Sequence, residues 1–520
     1  SSVVGLLHLH RDGIEILALH GKREGANISA SGHVDFGATP ALSLRFDAEN
    51  MVADRALYGM LPAEGRRAWD EVRPSGTFDA QINYEGHLGS APTSPMATAA
   101  PTPNLPLPTD GFTAILHPRA LRTEIRTVPY PITFNQGTIT ITPGHGVLKD
   151  LVGVNKDAAF RVSGEGSLAA SPDWELSLHA DRLPIDSELR RAIPPMLVSV
   201  LDSLQLHGGL SLDLPKILYR NSPGASDPDV DLSGTVTLAD GSIDAGVPLT
   251  AIRGALRFDA STRNGKVDRF SGRVDAESMA MGARKLTDLH LTLTQSPGNA
   301  DLHIDKVQGK VAQGEIAGAA VLSFPDKGPS KYTMSLVVRD ADVRELTGET
   351  DPNIRGDLTA SLALEGAWGN VASRRGRGDV VVVGKQLYRI PLVLGVLQVT
   401  NLSLPLSGPF THGTARYNVE GNRVNFEQMA LRSDTMSVNG SGYLDFGSRQ
   451  VRMTLTTDSS AGLKVPFISD LIRGAGEQIL RINVRGTVQQ PKVEPSSLGI
   501  FSTSIDQVFR GDPTPTTANH

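Results

Sequence analysis

Between Met436 and Thr457 the chain reads MSVNGSGYLDFGSRQVRMTLTT, with apolar residues on alternate positions. Met436, Val438, Leu444, Phe446, Val451, Met453 and Leu455 are interleaved with Ser437, Asn439, Asp445, Arg452 and Thr454. A period of two predicts strands with one dry face and one wet face. The pattern recurs almost from end to end, each time around a glycine. The copies are ISASGHVDF (Ile28–Phe36), FRVSGEGSL (Phe160–Leu168), VDLSGTVTL (Val230–Leu238), EIAGAAVLSF (Glu315–Phe324), MSVNGSGYLDF (Met436–Phe446) and INVRGTVQQPKV (Ile482–Val493). Glycine in a strand permits a bend or bulge, or the close approach of another backbone.

A longer unit repeats as well. LRFDAENMVADRAL (Leu44–Leu57) matches LSLHADRLPIDSEL (Leu176–Leu189), and LVVRDADVREL (Leu336–Leu346) is a shortened copy. Each is followed by another glycine strand. Gly32, Gly164, Gly318 and Gly440 mark copies roughly 120–155 residues apart, the size of several antiparallel strands plus a short helix. Asp54 and Asp186 recur after a strand, where a carboxylate caps a helix. The helix after Asp186, SELRRAIPPMLVSVLDSL, is expected to be broken in two by Pro194 and Pro195. A second helix is expected to open at Pro466 and run through PFISDLIRGAGEQIL, with Phe467, Leu471, Ile472, Ile479 and Leu480 as its apolar stripe. Residues 89–109, rich in Pro, Ala and Thr, read as an excursion without regular structure, and 219–229 and the terminal GDPTPTTANH read as loops.

Composition narrows the architecture. The chain has 520 residues, too many for one ordinary core, with 53 Gly, 33 Pro and only 5% aromatic residues. Two-sheet sandwiches need larger core fillers than the Ala, Val and Leu that dominate here. The fold class expected is mostly β: one long, curled antiparallel sheet forming a repeating β-groove, with a few short helices. About 25 strands at ~4.8 Å would extend such a sheet on the order of 100 Å. The segments expected are a partial repeat at 1–88, the excursion at 89–109, repeats at 110–218 and 230–376, a C-terminal region at 377–495, and a helix or tail at 496–520.

A net charge of −6 does not suggest nucleic-acid binding. With no cysteine there are no disulfides and no thiolate chemistry, which is compatible with an oxidising compartment. No apolar run approaches the ~20 residues that span a bilayer, the longest being Ile390–Val399. The chain opens at Ser1 directly on a strand-like segment, which reads as part of a longer protein with its anchor upstream.

Candidate chemistry is sparse. His8 and His10 stand at i and i+2 on one strand face, but spacing shows no third ligand and no HExxH pattern, so they read as a solvated or packed pair. Gly440-Ser441-Gly442 lies mid-ladder, away from any strand-to-helix elbow, and no P-loop is present. Arg374–Asp379, RRGRGD, is the densest basic spot and reads as a charged loop edge, with anionic headgroups as its functional alternative. No catalytic residues, metal ligands or cofactor are expected, and the protein is not expected to be an enzyme.

Three stretches carry a resemblance: RGDVVVVGKQLYRIPLVLGVLQV (Arg377–Val399), GTARYNVEGNRVNFEQMALRSDTMSVNGSGYLDF (Gly413–Phe446) and INVRGTVQQPKVEP (Ile482–Pro495). Their order resembles the C-terminal region of the AsmA-like family, the group of AsmA, TamB and YhdP relatives; the part before Val380 resembles that family's preceding repeats more loosely. The resemblance implies a bridge-like lipid transfer protein, anchored in the inner membrane of a diderm bacterium by an upstream helix absent from this chain. It would carry phospholipid across the periplasm in an apolar, taco-like groove and serve outer-membrane biogenesis. The partners implied are phospholipid, membranes at one or both ends and envelope proteins, and no nucleic acid. The alternative is an envelope scaffold or outer-membrane assembly factor that conducts no lipid.

The residues expected to line the groove are same-parity apolar positions of the clearest strands. They are Phe78, Ile82 and Tyr84; Leu210, Leu212 and Leu214; and Leu358, Leu362 and Leu364. Met436, Val438, Leu444 and Phe446, with Val451, Met453 and Leu455, complete the set.

Overall fold

The computed structural model describes residues 3–496 except 37–40, 88–110, 170, 194, 222–226, 245–247, 283, 300, 326, 348–354, 386–409, 435, 460–479 and 488–490. Expectations for the apolar run Ile390–Val399, the excursion at 89–109, the helix body at 466–479 and the tail at 497–520 lie outside the described residues.

The described residues form an open antiparallel sheet of many strands with a few short helices, not closed into a barrel. The chain divides into two compact units, 1–309 with 321–330, and 310–320 with 331–520. The first unit opens with β1 (Val3–His10), β2 (Gly13–Arg23), β3 (Ala26–Asp35), β4 (Ala41–Val52) and β5 (Ser75–His87). It continues through β6 (Phe112–Glu124), β7 (Pro131–Thr142), β8 (His145–Asn155), β9 (Ala158–Ser167) and β10 (Asp173–Pro184). Then come β11 (Gly209–Arg220), β12 (Asp229–Asp244), β13 (Pro248–Arg263), β14 (Lys266–Met281) and β15 (Arg284–Gln295). Strands β16 (Asp301–Val311) and β17 (Gly314–Ser323) straddle the division between the units.

The second unit holds β18 (Lys331–Asp342), β19 (Arg355–Ala367), β20 (Asn370–Lys385), β21 (His412–Glu420) and β22 (Arg423–Arg432). It ends with β23 (Met436–Asp445), β24 (Gln450–Ser459), β25 (Leu480–Thr487) and β26 (Pro491–Ser496). From β1 to β15, and again from β18 to β26, each strand pairs antiparallel with the next.

Three expected boundaries move. Tyr219 and Arg220 end β11 and Asp229 starts β12, so the loop expected at 219–229 is shorter. Leu480, expected to close a helix, opens β25 and pairs with Thr457. The segment boundary expected at 376/377 falls inside β20. In each case cross-strand pairing extends a strand into positions whose local composition alone reads otherwise.

The long repeat has a structural basis. Asn50, Arg182 and Asp340 adopt left-handed φ of 55°, 54° and 52° near the ends of β4, β10 and β18. The ladder register slips there, between Ala48 and Met51, Ala180 and Leu183, and Val338 and Ala341. Each bulge turns the chain toward a short helix. After β4 come α1 (Arg55–Met60) and α2 (Ala63–Val72); after β10 come α3 (Ser187–Ala192) and α4 (Pro195–Ser203); after β18 comes α5 (Val343–Thr347).

Asp54 and Asp186 cap helices as the pattern predicts, and Asp342, which the pattern did not single out, does the same. The Leu57 amide donates to Asp54 at 2.8 Å, the Glu188 and Leu189 amides donate to Asp186 at 2.9 and 3.1 Å, and the Glu345 amide donates to Asp342 at 2.8 Å. A basic partner from a neighbouring hairpin joins the first two caps: Arg23 donates to Asp54, and Lys156 to Asp186. Burial works to raise the Asp186 pKa, but the Lys156 ammonium and the two amides outweigh it and hold the carboxyl below its ordinary value. A depressed native pKa contributes stability that is complete above the unfolded value of about 3.9 and is lost as pH falls through the native value. Asp186→Ala therefore costs about 1 kcal/mol at neutral pH. Hydrogen exchange at the Glu188 and Leu189 amides reads it, with the mutant and wild type converging in acid.

The backbone requires glycine at a recurring strand position. At Gly164, φ is 157°, and a Cβ would lie 2.3 Å from the Glu175 carbonyl oxygen. Gly442 repeats that conformation at φ 154°, so the equivalent of Gly164 in the last repeat is Gly442 rather than Gly440. The backbone of the next strand passes where a side chain would stand.

Candidate functional site: a continuous apolar face

Residues directly opposite each other in an antiparallel pair present their side chains to the same face. In the first unit one such row begins Val3, Gly21, Ile28, Ala48, Ala80, Leu116. It goes on through Ile139, Leu148, Gly164, Leu176 and Ile217. It ends at Leu232, Ala260, Phe270 and Gln295. The row crosses β1 to β15, and every member before Gln295 is apolar or glycine.

A parallel row starts Gly76, Leu121, Phe134, Gly153, Phe160, Ala180 and continues Leu212, Val236, Leu256, Val274, Leu291. A third contains Phe46, Ile82, Ala114 and Ile141, then Gly146, Gly166, Trp174 and Tyr219.

The other face differs in kind. One of its rows runs Ser29, Asp47, Gln81, Ile115, Thr140 and then Val147, Glu165, Glu175, Leu218, Asp231. Paired polar groups stud this face: Arg257 with Asp275 at 2.8 Å, and His290 with Asp275 at 2.7 Å. The His290 hydrogen bond, with Arg273 beside it, holds the Asp275 carboxyl below its ordinary range against the opposing effect of burial. Such exposed pairs add little stability; they mark the face that stays in water.

The second unit repeats the arrangement independently. Leu336, Leu362, Gly378 and Tyr417 form a row that continues as Phe426, Gly442, Met453, Val484 and Val493. Beside it run Met334, Leu364, Gly376, Val419, Val424 and Leu444, and then Val451. On the opposite face Arg377, Asn418, Asn425, Tyr443, Arg452 and Arg485 follow one another. The Arg423 guanidinium lies 4.4 Å from the centre of the Tyr443 ring. The RRGRGD segment expected as a loop edge is instead mid-strand in β20.

Of the residues singled out from the pattern, Phe78, Ile82, Tyr84, Leu210, Leu212 and Leu214 all lie on the apolar face of the first unit. Leu358, Leu362, Leu364, Val438 and Leu444 share the apolar face of the second, with Val451, Met453 and Leu455. Met436 holds the same-face register position opposite Ser459. Phe446 departs from the set. It follows the end of β23, its amide donates to the Asn422 carbonyl oxygen, and it is 64% exposed. The alternation reaches it in sequence, but the strand has already turned.

Helices cover part of the apolar face. Leu57 of α1 and Trp69 of α2 pack on Met51, Phe78, Ala80 and Leu121. Leu189 and Ala192 of α3 pack on Tyr130, Ala158, Phe160, Ala180 and Leu183, with Leu210 and Leu212 at the margin. Phe78 thus belongs to a dry cluster beneath helices. Ile82, Leu256 and Leu362 are half-buried and lie outside both clusters. Trp174, Tyr219, Phe258 and Phe270 are apolar-face aromatics that the pattern did not single out; the Phe258 and Phe270 rings stack at 5.9 Å. Their signal is the registered partner, which one strand's sequence does not carry.

No family model matches the chain, and no curated protein does.

One further group is assembled by pairing. Glu15 stands opposite His8 across the β1–β2 hairpin. It supplies the third potential ligand that spacing around His8 and His10 did not reveal. No helix among the described residues is long and apolar enough to cross a membrane, which says nothing of strands.

Proposed function

We propose that the apolar face of each unit binds the acyl chains of phospholipid and lets them move along the sheet, a lipid-transfer function of the kind the AsmA-like resemblance implies. The observation that carries this is the unbroken apolar row of the first unit. Outside the helix-covered clusters it runs from Leu148 of β8 to Phe270 of β14; at ~4.8 Å per strand that is on the order of 30 Å, longer than an extended acyl chain. A pocket for one ligand has no need of such a run. Its side chains are Val, Leu, Ile, Ala and Phe with glycines between, and this uniformity suits a chain that slides better than one held in place. Exposing one CH₂ to water costs about 0.8 kcal/mol, so a 16-carbon tail resists desorption by on the order of 12 kcal/mol. A continuous apolar path removes that barrier at each step, while the charged face stays hydrated. In this reading the protein works between the two membranes of a diderm envelope and makes or breaks no covalent bond.

A second reading has its own observation. On β1, Val3, Val4, Leu6, Leu7 and Leu9 are all exposed, an apolar surface that suits a protein partner. Native mass spectrometry of gently purified protein separates the two. Phospholipid in several copies per chain supports transfer; a stoichiometric protein partner with no lipid overturns it in favour of a scaffold.

A further inference from the structure

The hairpin of β1 and β2 places three metal-ligating side chains on one face. His8 and His10 stand two residues apart on β1, so both project to the same side. Glu15 on β2 is the registered partner of His8, and Gly13, with no side chain to intervene, is the partner of His10. The His8 Nδ1 lies 3.9 Å from the Glu15 Oε2, and the His10 Nε2 lies 3.6 Å from the same oxygen. One ligand atom from each residue falls within 4.8 Å of the other two. The imidazole rings are 4.2 Å apart between centroids and inclined by 48°.

These separations approach what a metal requires. A tetrahedral zinc ion with ligands at about 2.0–2.1 Å holds their atoms about 3.3 Å apart. All three side chains are exposed, so χ rotations close the remaining gap without moving the backbone. Imidazole and carboxylate together suit zinc and its first-row neighbours better than calcium or magnesium, which take oxygen ligands.

We propose that His8, His10 and Glu15 form a binding site for a divalent transition-metal ion of the zinc type. The three protein ligands leave at least one coordination position open to solvent, available to water or to a donor from a partner. The ion ties β1 to β2 across the hairpin, where the first strand is otherwise exposed along its whole length. The site lies on the polar face, in register with His33 and Ser43, and does not depend on the lipid reading.

The test is calorimetric titration of zinc chloride into untagged, chelator-dialysed protein, paired with the visible spectrum of the cobalt(II) form. One ion per chain and the intense bands of a low-coordinate cobalt site are expected. Losing an outer partner of a metal ligand already costs about 10–100-fold in affinity. His8→Ala and His10→Ala should therefore each weaken binding by roughly a hundredfold, and Glu15→Gln should weaken it while leaving the hairpin folded. His303→Ala, on β16, serves as the control and should change nothing. An absence of saturable zinc binding, or equal affinity in wild type, His8→Ala and His10→Ala, overturns the assignment.

Discussion

If the apolar face holds acyl chains as proposed, Leu256→Asp is expected to strip phospholipid from the purified protein and leave the sheet folded. Leu256 stands in the second apolar row between Val236 and Val274 and is half-buried. On the proposed reading a carboxylate there would face hydrocarbon, with apolar Val236 and Val274 as its registered neighbours. The cost is at least about 1.4 kcal/mol, a tenfold loss of affinity, and rises with the depth of the acyl chain. Thr294→Asp places the same charge on the polar face, where Thr294 pairs with Ser271, and should leave lipid content unchanged. Phosphorus content and native mass spectra read both variants, and circular dichroism confirms that each is folded. Equal lipid loss in the two would mean that charge anywhere disturbs the protein and that the apolar face has no special part.

Phe160→Ala has the opposite signature: a large loss of local stability. Phe160 is buried at 5% exposure beneath α3, its ring 5.6 Å from Tyr130, against Ala158 and Ala180 at 0%. Removing it leaves a cavity between the sheet and the helix, and Phe→Ala changes of this kind cost about 3–5 kcal/mol. Protection of amides in β9, β10 and α3 from hydrogen exchange should collapse together, since one cluster holds them. Leu256→Ala, outside both helix-covered clusters, should cost much less. The comparison distinguishes apolar surface that stabilises the fold from apolar surface left available to a ligand.

The strands, their glycines and the capping aspartates were legible because each is a local signal. Alternation marks a strand, Asp before a helix marks a cap, and Pro194–Pro195 mark a break between α3 and α4. Parity across bulges was partly legible: along β11 the apolar set passes from Leu210, Leu212 and Leu214 to Ile217 and Tyr219, and the missing step coincides with the register slip between Asp213 and Lys216. What one strand cannot disclose is its partner. That Leu116 faces Ile139, that Gly166 faces Trp174, or that Glu15 faces His8 depends on turn geometry and the summed fit of whole strands. The exposed Phe446 shows the same limit, because the pattern continues through a residue where hydrogen bonding has already ended the strand.

Trp174 offers the most direct test of the proposal that the apolar face holds acyl chains. It lies on that face between Gly166 and Tyr219, and the chain has only 3 tryptophans. With Trp69→Phe and Trp368→Phe, its fluorescence alone can be followed during loading with phosphatidylcholine brominated on the acyl chain. Bromine quenches only near contact, so the account predicts strong quenching by the acyl-brominated lipid and reduced access of aqueous iodide. Undiminished emission with lipid bound, and iodide access unchanged, would contradict it.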